Sequence, residues 1–227
     1  MVRDHISVSE LIDFWRCQYK WYASYVLNLE QARPASTALQ LGTIWDTFLT
    51  AYNRAIIAKS GQPFQDAVAV LAKYDSNSLD EDDLSRLALR AKTVPEFYTE
   101  QGLLPVSVQP TLKIEMNGIE IVGRLDTITI QYGTRQYVGE YKYVASIRHS
   151  HLQRDRQVLL YEWLCTQNDI DVNGTLYIQT RKTGVLPWHD LYLIPRDKTA
   201  FVELEEQLDR AMEIMAEIRA GKTPTRS

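Results

Sequence analysis

Residues 119–144 of this chain read IEIVGRLDTITIQYGTRQYVGEYKYV. Apolar and polar side chains tend to alternate along this stretch, which is typical of β-strands. A turn at Tyr132-Gly133-Thr134 divides it into two predicted strands. Asp126 lies on the first strand, and Glu140 and Lys142 lie on the second, two residues apart. Because successive side chains on a strand alternate between faces, we expect Glu140 and Lys142 to share one face and to meet Asp126 at an edge of the sheet.

The flanking sequence predicts a mixed sheet surrounded by helices. Asn117-Gly118 separates two alternating runs within residues 106–130 and is a strong hairpin signal. The remaining strands are predicted over about 136–144, 175–180 and 188–194. Helices are predicted from a capping box at Ser7 and Glu10, and over about 36–56, 64–73, 81–100, 150–167 and 199–219. This order predicts an α/β (mixed α+β) fold in one domain, 1–227, with a mainly helical part over about 1–104 and a catalytic sheet with its helices over about 105–220.

The composition is ordinary for a soluble globular protein, with 45% hydrophobic and 24% charged residues among 227. A net charge of -4 does not favour non-specific coating of DNA, so contact with nucleic acid would depend on a local basic patch. Cys17 and Cys165 form no zinc pattern, and we expect free thiols, although counting alone leaves a disulfide open. We expect a cytoplasmic protein without a membrane partner, since neither a signal peptide nor an apolar run of about 18 residues is found.

Asp126, Glu140 and Lys142 provide groups that phosphodiester hydrolysis requires. Magnesium prefers hard oxygen ligands, and we expect them from Asp126, Glu140 and the backbone carbonyl of Tyr141. A bound metal would activate water and stabilise charge on the phosphate, while Lys142 would orient the attacking water. The alternative is an exposed strand pair with solvated side chains, because an E-x-K motif alone is common.

The chain resembles the RecB-like and phage-exonuclease-like branch of the PD-(D/E)xK nuclease superfamily. The resembling segments are the N-terminal helix from Ile6 to Tyr22, Leu41–Asp46 for the family's "G-x-x-x-H" helix, Gly123–Asp126 for its "G-x-x-D" strand, Glu140–Lys142 for its "E-x-K", and Gln157 with Tyr161 for its "Q-x-x-x-Y" helix. The resemblance implies a restriction-endonuclease-like mixed sheet flanked by helices, with an N-terminal helical region. It also implies an Mg²⁺- or Mn²⁺-dependent nuclease that acts on DNA in recombination, repair or phage replication.

The chain departs from this branch at two points. Asp46 stands where the branch often has a metal-binding histidine. An aspartate oxygen suits magnesium, so Asp46 is either a metal ligand or an ordinary polar helix residue. Some relatives hold an iron-sulfur cluster through four cysteines, and we expect no cluster in a chain with two. Glu115, just before the predicted hairpin turn, is either an additional metal ligand or an exposed strand residue.

Further candidates lie after the E-x-K strand. Gln157 and Tyr161 are four residues apart and are therefore neighbours on one helix face. The resemblance implies that they face the cleft and support Lys142 or the DNA backbone. The alternative is that both are exposed to solvent. Phosphate contacts are predicted for a group of mostly basic residues, which are Arg124, Arg148, His151, Arg154 and Arg156. Positive charge at a helix N-terminus opposes the helix dipole, which favours an anionic partner there.

The N-terminal aromatic residues have two interpretations. Trp15, Tyr19, Trp21, Tyr22 and Tyr25 would pack in the core or would stack on unpaired bases. For aromatic residues at helical spacing, packing in the core is the more common of these two roles.

The leading hypothesis is a metal-dependent deoxyribonuclease of exonuclease type. The alternatives are a catalytically inactive DNA-binding or assembly module that keeps the fold, and a site-specific endonuclease. A homo-oligomer or a recombination partner protein is left open.

Overall fold

The computed structural model describes residues 5–29, 36–72 and 79–225, and for residues 127–129 only the backbone. Its helices are α1 (Val8–Arg16), α2 (Gln18–Trp21), α3 (Thr37–Ile57), α4 (Pro63–Leu71), α5 (Glu81–Gln101), α6 (Arg156–Gln167) and α7 (Ala200–Arg219). Its strands are β1 (His5–Ser7), β2 (Leu104–Ser107), β3 (Thr111–Met116), β4 (Ile119–Arg124), β5 (Thr127–Tyr132), β6 (Arg135–Val144), β7 (Gly174–Arg181) and β8 (His189–Pro195). A π-helical segment, Tyr22–Val26, follows α2, and a 3-10 turn, Leu152–Arg154, precedes α6.

Side chains that accept backbone N–H groups determine where several helices begin. Ser7 caps α1 by accepting from the N–H of Glu10 at 3.1 Å. Ser36 caps α3 in the same way. Such caps satisfy amides that have no partner within the helix, and they agree with the predicted helix starts. The predicted helix over 64–73 ends at Leu71, and residue 73 lies outside the described residues.

The strands form two sheets, with the orders β1-β4-β3 and β2-β5-β6-β7-β8. The second sheet is mixed, because β6 pairs antiparallel with β5 and parallel with β7. The predicted mixed sheet with flanking helices is thus confirmed, but the alternating run before residue 130 is interrupted. At Leu125 and Asp126 the chain leaves the first sheet as β4 and enters the second as β5. The short strands β1 and β2 were not predicted, since three or four residues are too few for alternation to be recognised.

Two hydrophobic cores hold the layers together. One face of the five-stranded sheet packs against α3, α4 and α5. The other core joins the three-stranded sheet to α1, α6 and α7. Helix α6 contacts strands of both sheets, so it lies at the junction where Asp126 is found.

Cys17 is half-buried and Cys165 is buried, and the two do not form a disulfide with each other. Within the described residues, no helix combines the length and apolarity that crossing a membrane requires.

Candidate active site

Strand β6 places its side chains alternately on the two faces of the sheet. Glu140 is buried on the α6 side, where its Oε1 accepts a hydrogen bond from Lys142 Nζ at 2.5 Å. Tyr141 points into the opposite core, and its hydroxyl accepts from Asn53 Nδ2 at 2.6 Å and lies 2.9 Å from the hydroxyl of Tyr98. The side-chain alternation predicted for this strand is therefore observed.

Asp126 lies between the last residue of β4 and the first of β5, beside Glu140. The two carboxyl groups are within hydrogen-bonding reach. Burial raises the pKa of Asp126 to about 8, with further contributions from the negative charges of Glu140 and Asp46 and an opposing one from Lys142. Burial also raises the pKa of Glu140, against the effect of the Lys142 ammonium. The pair therefore retains a proton near neutral pH, which a divalent cation would displace.

Helix α3 brings a third carboxyl group, Asp46, towards this pair. Its Oδ2 accepts from Gln109 Nε2 at 3.4 Å, and Gln109 Oε1 accepts from Arg124 Nη2 at 2.6 Å. Burial raises the pKa of Asp46, and the positive charge of Arg124 opposes that rise. Gln109 thus links two predicted site residues, although nothing in the sequence pattern indicated it.

The oxygen atoms of the site suit a divalent cation. Among the described residues, no three histidine, cysteine, aspartate or glutamate side chains are close enough to form a metal cage. Magnesium does not need such a cage, because it is commonly held by one or two carboxylates and keeps several waters. Glu140 Oε2 and Asp46 Oδ1 are buried and have no hydrogen-bond partner within the described part of the chain. Buried oxygens without a partner are unfavourable, so a cation bound at the Asp126–Glu140 pair fits these atoms.

Helix α6 directs two predicted residues towards the carboxyl pair. Gln157 Nε2 donates to the Tyr161 hydroxyl at 2.9 Å. Tyr161 is buried, and burial together with the charges of Glu140 and Asp126 raises the pKa of its phenol, so the hydroxyl stays protonated. Tyr161 thus lies beside the carboxyl pair, and the half-buried Gln157 is hydrogen-bonded to it. That these two residues support Lys142 or the DNA backbone stays a prediction.

Asp155 is a site residue that sequence reasoning missed. Its Oδ1 accepts the backbone N–H of Gln157 at 3.0 Å and caps α6. Its Oδ2 accepts from the Tyr177 hydroxyl at 3.2 Å, which joins the start of α6 to β7. The charge of Asp155 also contributes to the raised pKa values of Lys142 and Glu140. The available signal was the strong preference of aspartate for the N-cap position, two residues before the predicted Gln157.

Gln179 is a second missed residue, and it lies opposite Lys142 in the parallel β6–β7 ladder. Its side chain is buried, and its Oε1 accepts the backbone N–H of Arg148 at 3.4 Å. Its Nε2 has no hydrogen-bond partner among the described residues. Gln179 therefore connects the catalytic strand with the basic segment that follows it. No local sequence signal could reveal this role of Gln179, because neither strand alone indicates which distant strand it pairs with.

Glu115 is the predicted residue that the structure keeps away from the site. It is exposed and lies opposite Glu120 near the turn of the β3–β4 hairpin. The other end of the hairpin, where Thr111 pairs with Arg124, leads to Asp126. Glu115 is four residues from Thr111, which is about 13 Å at the rise of a strand. Glu115 is thus an exposed strand residue, which was the second of its two interpretations.

The predicted phosphate-binding residues after β6 lie on the surface. Arg148, His151, Arg154 and Arg156 are exposed, and their side chains form no ion pair within the described part of the chain. The neighbouring His149 is instead held by Asp190 at 2.7 Å.

The N-terminal aromatic residues divide between the two interpretations. Trp21 is fully buried and donates its indole N–H to Glu10 Oε1 at 3.1 Å, which is a core role. Trp15 is only partly buried, and the guanidinium of Arg156 lies over its ring at 5.1 Å.

Solved structures resemble this fold at low sequence identity. A protein from Eubacterium rectale, described as a proposed exonuclease, shares 13% identity and a TM-score of 0.62, over 98% of this chain and 84% of that chain. At this identity the likeness concerns the fold alone. The protein SSO0001 shares 17% identity over 99% of this chain and 80% of its own, with a TM-score of only 0.40. No curated protein matches the chain.

A family model matches almost the whole length of the sequence. The model is that of the PD-(D/E)XK nuclease superfamily, and it covers residues 5–227. The match includes Asp126, which lies between β4 and β5, and Glu140 and Lys142, which lie on β6. The spacing of these three residues in the sequence first indicated a phosphodiesterase site. The chain therefore belongs to the PD-(D/E)XK nuclease superfamily.

Proposed function

We propose that this nuclease is a divalent-metal-dependent deoxyribonuclease with exonuclease-like action, working in recombination, repair or phage replication. The observation that carries the proposal is the half-buried Asp126 beside the buried Glu140, with the ammonium of Lys142 hydrogen-bonded to Glu140. Two carboxylates and an amine that converge on one face are suited to hold a cation against a phosphate. Membership of the nuclease superfamily supports the same reaction class.

Each residue of the site has a distinct proposed role in the hydrolysis. Asp126 and Glu140 would hold Mg²⁺ or Mn²⁺ through carboxylate oxygens, and the backbone carbonyl of Tyr141 is proposed as a further oxygen ligand. When bound, the metal supplies a Lewis acid and lowers the pKa of water. Lys142 is cationic, since the charge of Glu140 raises its pKa against the effect of burial. Its ammonium orients the attacking water and offsets negative charge that develops on the phosphate.

Helix α6 supports this centre. The hydrogen bond from Gln157 fixes the Tyr161 hydroxyl, which stays protonated beside the negative charges of Glu140 and Asp126. We propose that these two residues keep the groups of the carboxylate site in position and do not exchange protons with the substrate.

DNA binding is proposed along the basic surface that begins beside the carboxyl pair. Arg124 is exposed at the end of β4. The other proposed contacts are Arg148, His151, Arg154 and Arg156. Their exposed side chains suit contacts to the phosphate backbone, which contribute affinity and not sequence specificity. We also propose a cytoplasmic location, where the thiols of Cys17 and Cys165 would stay reduced.

A second candidate function is a catalytically inactive DNA-binding or assembly module. One residue favours it, because Asp46 replaces the histidine of the family's "G-x-x-x-H" helix. The buried Oδ1 of Asp46 has no partner within the described residues, and this favours retention of a metal-binding role. We therefore place Asp46 as an additional, carboxylate ligand in an active enzyme.

The test is degradation of end-labelled linear DNA and closed circular DNA, each with Mg²⁺, with Mn²⁺ and with a chelator. We expect metal-dependent loss of linear DNA and survival of the circle. Cleavage of the circle would instead indicate a site-specific endonuclease. Glu115→Gln is the matched control for Glu140→Gln, because both remove one carboxylate but only Glu140 lies in the site. A wild type that binds DNA yet leaves both substrates intact with either metal would establish the inactive module.

A further inference from the structure

A cavity of about 250 Å³ lies between α1, α6 and α7, away from the carboxyl pair. Its apolar wall is formed by Phe14 and Ile214, and its polar rim carries Arg156 and Arg210. Trp15 contributes a partly exposed indole to the same cavity. The cavity thus combines an aromatic surface with two cationic groups.

The two arginines are available to an anionic ligand. Both are exposed, and in the described ranges neither forms an ion pair with a carboxylate. The guanidinium of Arg156 lies over the Trp15 ring at 5.1 Å, which holds its plane against the indole. Two exposed cations at one cavity rim form a local positive patch that suits a negative group, although the net charge of the chain is -4.

The cavity also offers a hydrogen-bonding group. Gln18 lines it, and Gln18 Oε1 accepts from the backbone N–H of Thr225 at 3.2 Å and from its hydroxyl at 2.8 Å. These bonds orient the amide so that its N–H₂ group can act as a donor. A planar cation on an aromatic ring with a nearby amide is a common surface for a nucleobase.

The cavity is connected to the proposed active site through α6. Arg156 is the first residue of that helix, and the next residue is Gln157, whose amide faces the site. Successive helix residues point about 100° apart, so one helix end presents one residue to each place. The exposed basic segment from Arg148 to Arg154 leads from the end of β6 to the same helix end.

We propose that this cavity binds one unpaired nucleotide of the DNA substrate, with its phosphate at Arg210 and its base stacked on the Arg156 guanidinium that covers Trp15. At about 250 Å³ the cavity lies just under the ~300–1,000 Å³ of small-molecule sites, so it has room for no more than one nucleotide. The inference deepens the proposed nuclease function and predicts a preference for DNA ends that carry a short single-stranded tail.

The test measures binding separately from cleavage. Fluorescence anisotropy of the full chain in a chelating buffer compares a blunt hairpin duplex with the same hairpin carrying a tail of about three nucleotides at its 5′ or 3′ end. We expect one tailed hairpin to bind about tenfold more tightly than the blunt one, given the strength of base stacking on aromatic residues. Arg210→Glu and Trp15→Ala should each reduce that ratio to about twofold or less.

Arg135→Glu is the matched charge-reversal control. Arg135 is exposed at the start of β6, seven residues and about 23 Å along the strand from Lys142, and it should leave the tail preference unchanged. Trp15 packs partly against the core, so a thermal melt accompanies its variant. Arg210→Glu alters only an exposed side chain and remains decisive if Trp15→Ala misfolds.

Equal binding of tailed and blunt hairpins, or absence of binding to all of them, would overturn the inference. A tail preference that survives Arg210→Glu would do the same. Cleavage is scored independently with metal present, so a protein that prefers tails but never cuts would disprove the proposed nuclease activity and leave the cavity assignment intact.

Discussion

Replacing Asp126 by asparagine should stabilise the metal-free protein while abolishing its proposed activity. In the metal-free chain the Asp126 carboxyl lies against Glu140, and its pKa is raised to about 8 by burial and by the charges of Glu140 and Asp46. Asparagine has nearly the same shape, carries no charge, and offers an N–H donor to the Glu140 carboxylate. The substitution therefore removes an electrostatic penalty.

The magnitude follows from the difference between the folded and unfolded pKa values. Above its ordinary pKa of 3.8 the unfolded Asp126 has lost its proton, while the folded one keeps it up to about pH 8. Stability from this group is therefore fully present below pH 3.8 and is lost as the pH rises towards 8, by about 1.4 kcal/mol for each unit. At pH 7 that amounts to about 4 kcal/mol, which solvent screening of the partly exposed side chain reduces to about 2 kcal/mol.

Urea unfolding of wild type and Asp126→Asn at pH 5 and pH 7, in a chelating buffer, measures this difference. The variant should be the more stable protein at both values, and its advantage should be larger at pH 7. Added Mg²⁺ should stabilise wild type and have little effect on the variant, because one of the proposed carboxylate ligands is lost. Asp171→Asn is the control, since Asp171 forms only an exposed ion pair with Lys198 and should show neither effect.

A variant less stable than wild type at pH 7, or an advantage that does not change with pH, would refute the reasoning. Either result would mean that Asp126 and Glu140 do not repel one another in the folded chain. The carboxyl pair would then no longer explain a cation site.

Four further outcomes are expected. Lys142→Ala should lower metal-dependent DNA cleavage by about 100-fold or more in a single-turnover assay, with DNA affinity nearly unchanged; equal rates would remove Lys142 from the reaction. Gly123→Ala should destabilise the fold by about 1–3 kcal/mol in urea, because the added Cβ would lie 2.3 Å from the buried Leu164 Cδ1; unchanged stability would show that α6 is free to shift. Asp155→Ala should lose about 1 kcal/mol of stability with the helix cap, whereas Asp155→Asn should keep it; a similar loss in both variants would contradict the capping role. Asp46→His should raise the ratio of Mn²⁺- to Mg²⁺-supported cleavage, since imidazole suits the softer ion; an unchanged ratio would indicate that Asp46 is not a ligand.

Local patterns predicted much of the fold. The helix starts at Ser7 and Ser36 depend on a single side chain and its own helix, so they could be recognised in the sequence. The division between β4 and β5 could not, because it arises where the chain passes from one sheet to another and the alternation continues across it. A pattern that reports which face a residue occupies does not report which sheet it belongs to.

The same distinction separates the predicted site residues from the missed ones. Glu140 and Lys142 are two positions apart on one strand, so their shared face followed from strand geometry. Gln179 and Gln109 reach the site through strand pairing and a loop contact that connect distant parts of the chain. Glu115 was a candidate because the hairpin turn brings β3 beside β4, but the register places it at the wrong end of that hairpin.

The hydroxyl group of Tyr141 has a consequence for how the chain must assemble. It meets Asn53 and Tyr98 in the helical layer, while the residues on either side of it face the opposite layer. A slip of β6 by one position would bury an ammonium and a carboxylate among aromatic rings and would leave two polar groups of the helical layer, those of Asn53 and Tyr98, without the Tyr141 hydroxyl. Misaligned pairings are thus strongly disfavoured, and the correct alignment of the strand that carries Glu140 and Lys142 is selected during folding by atoms on the other face of the sheet.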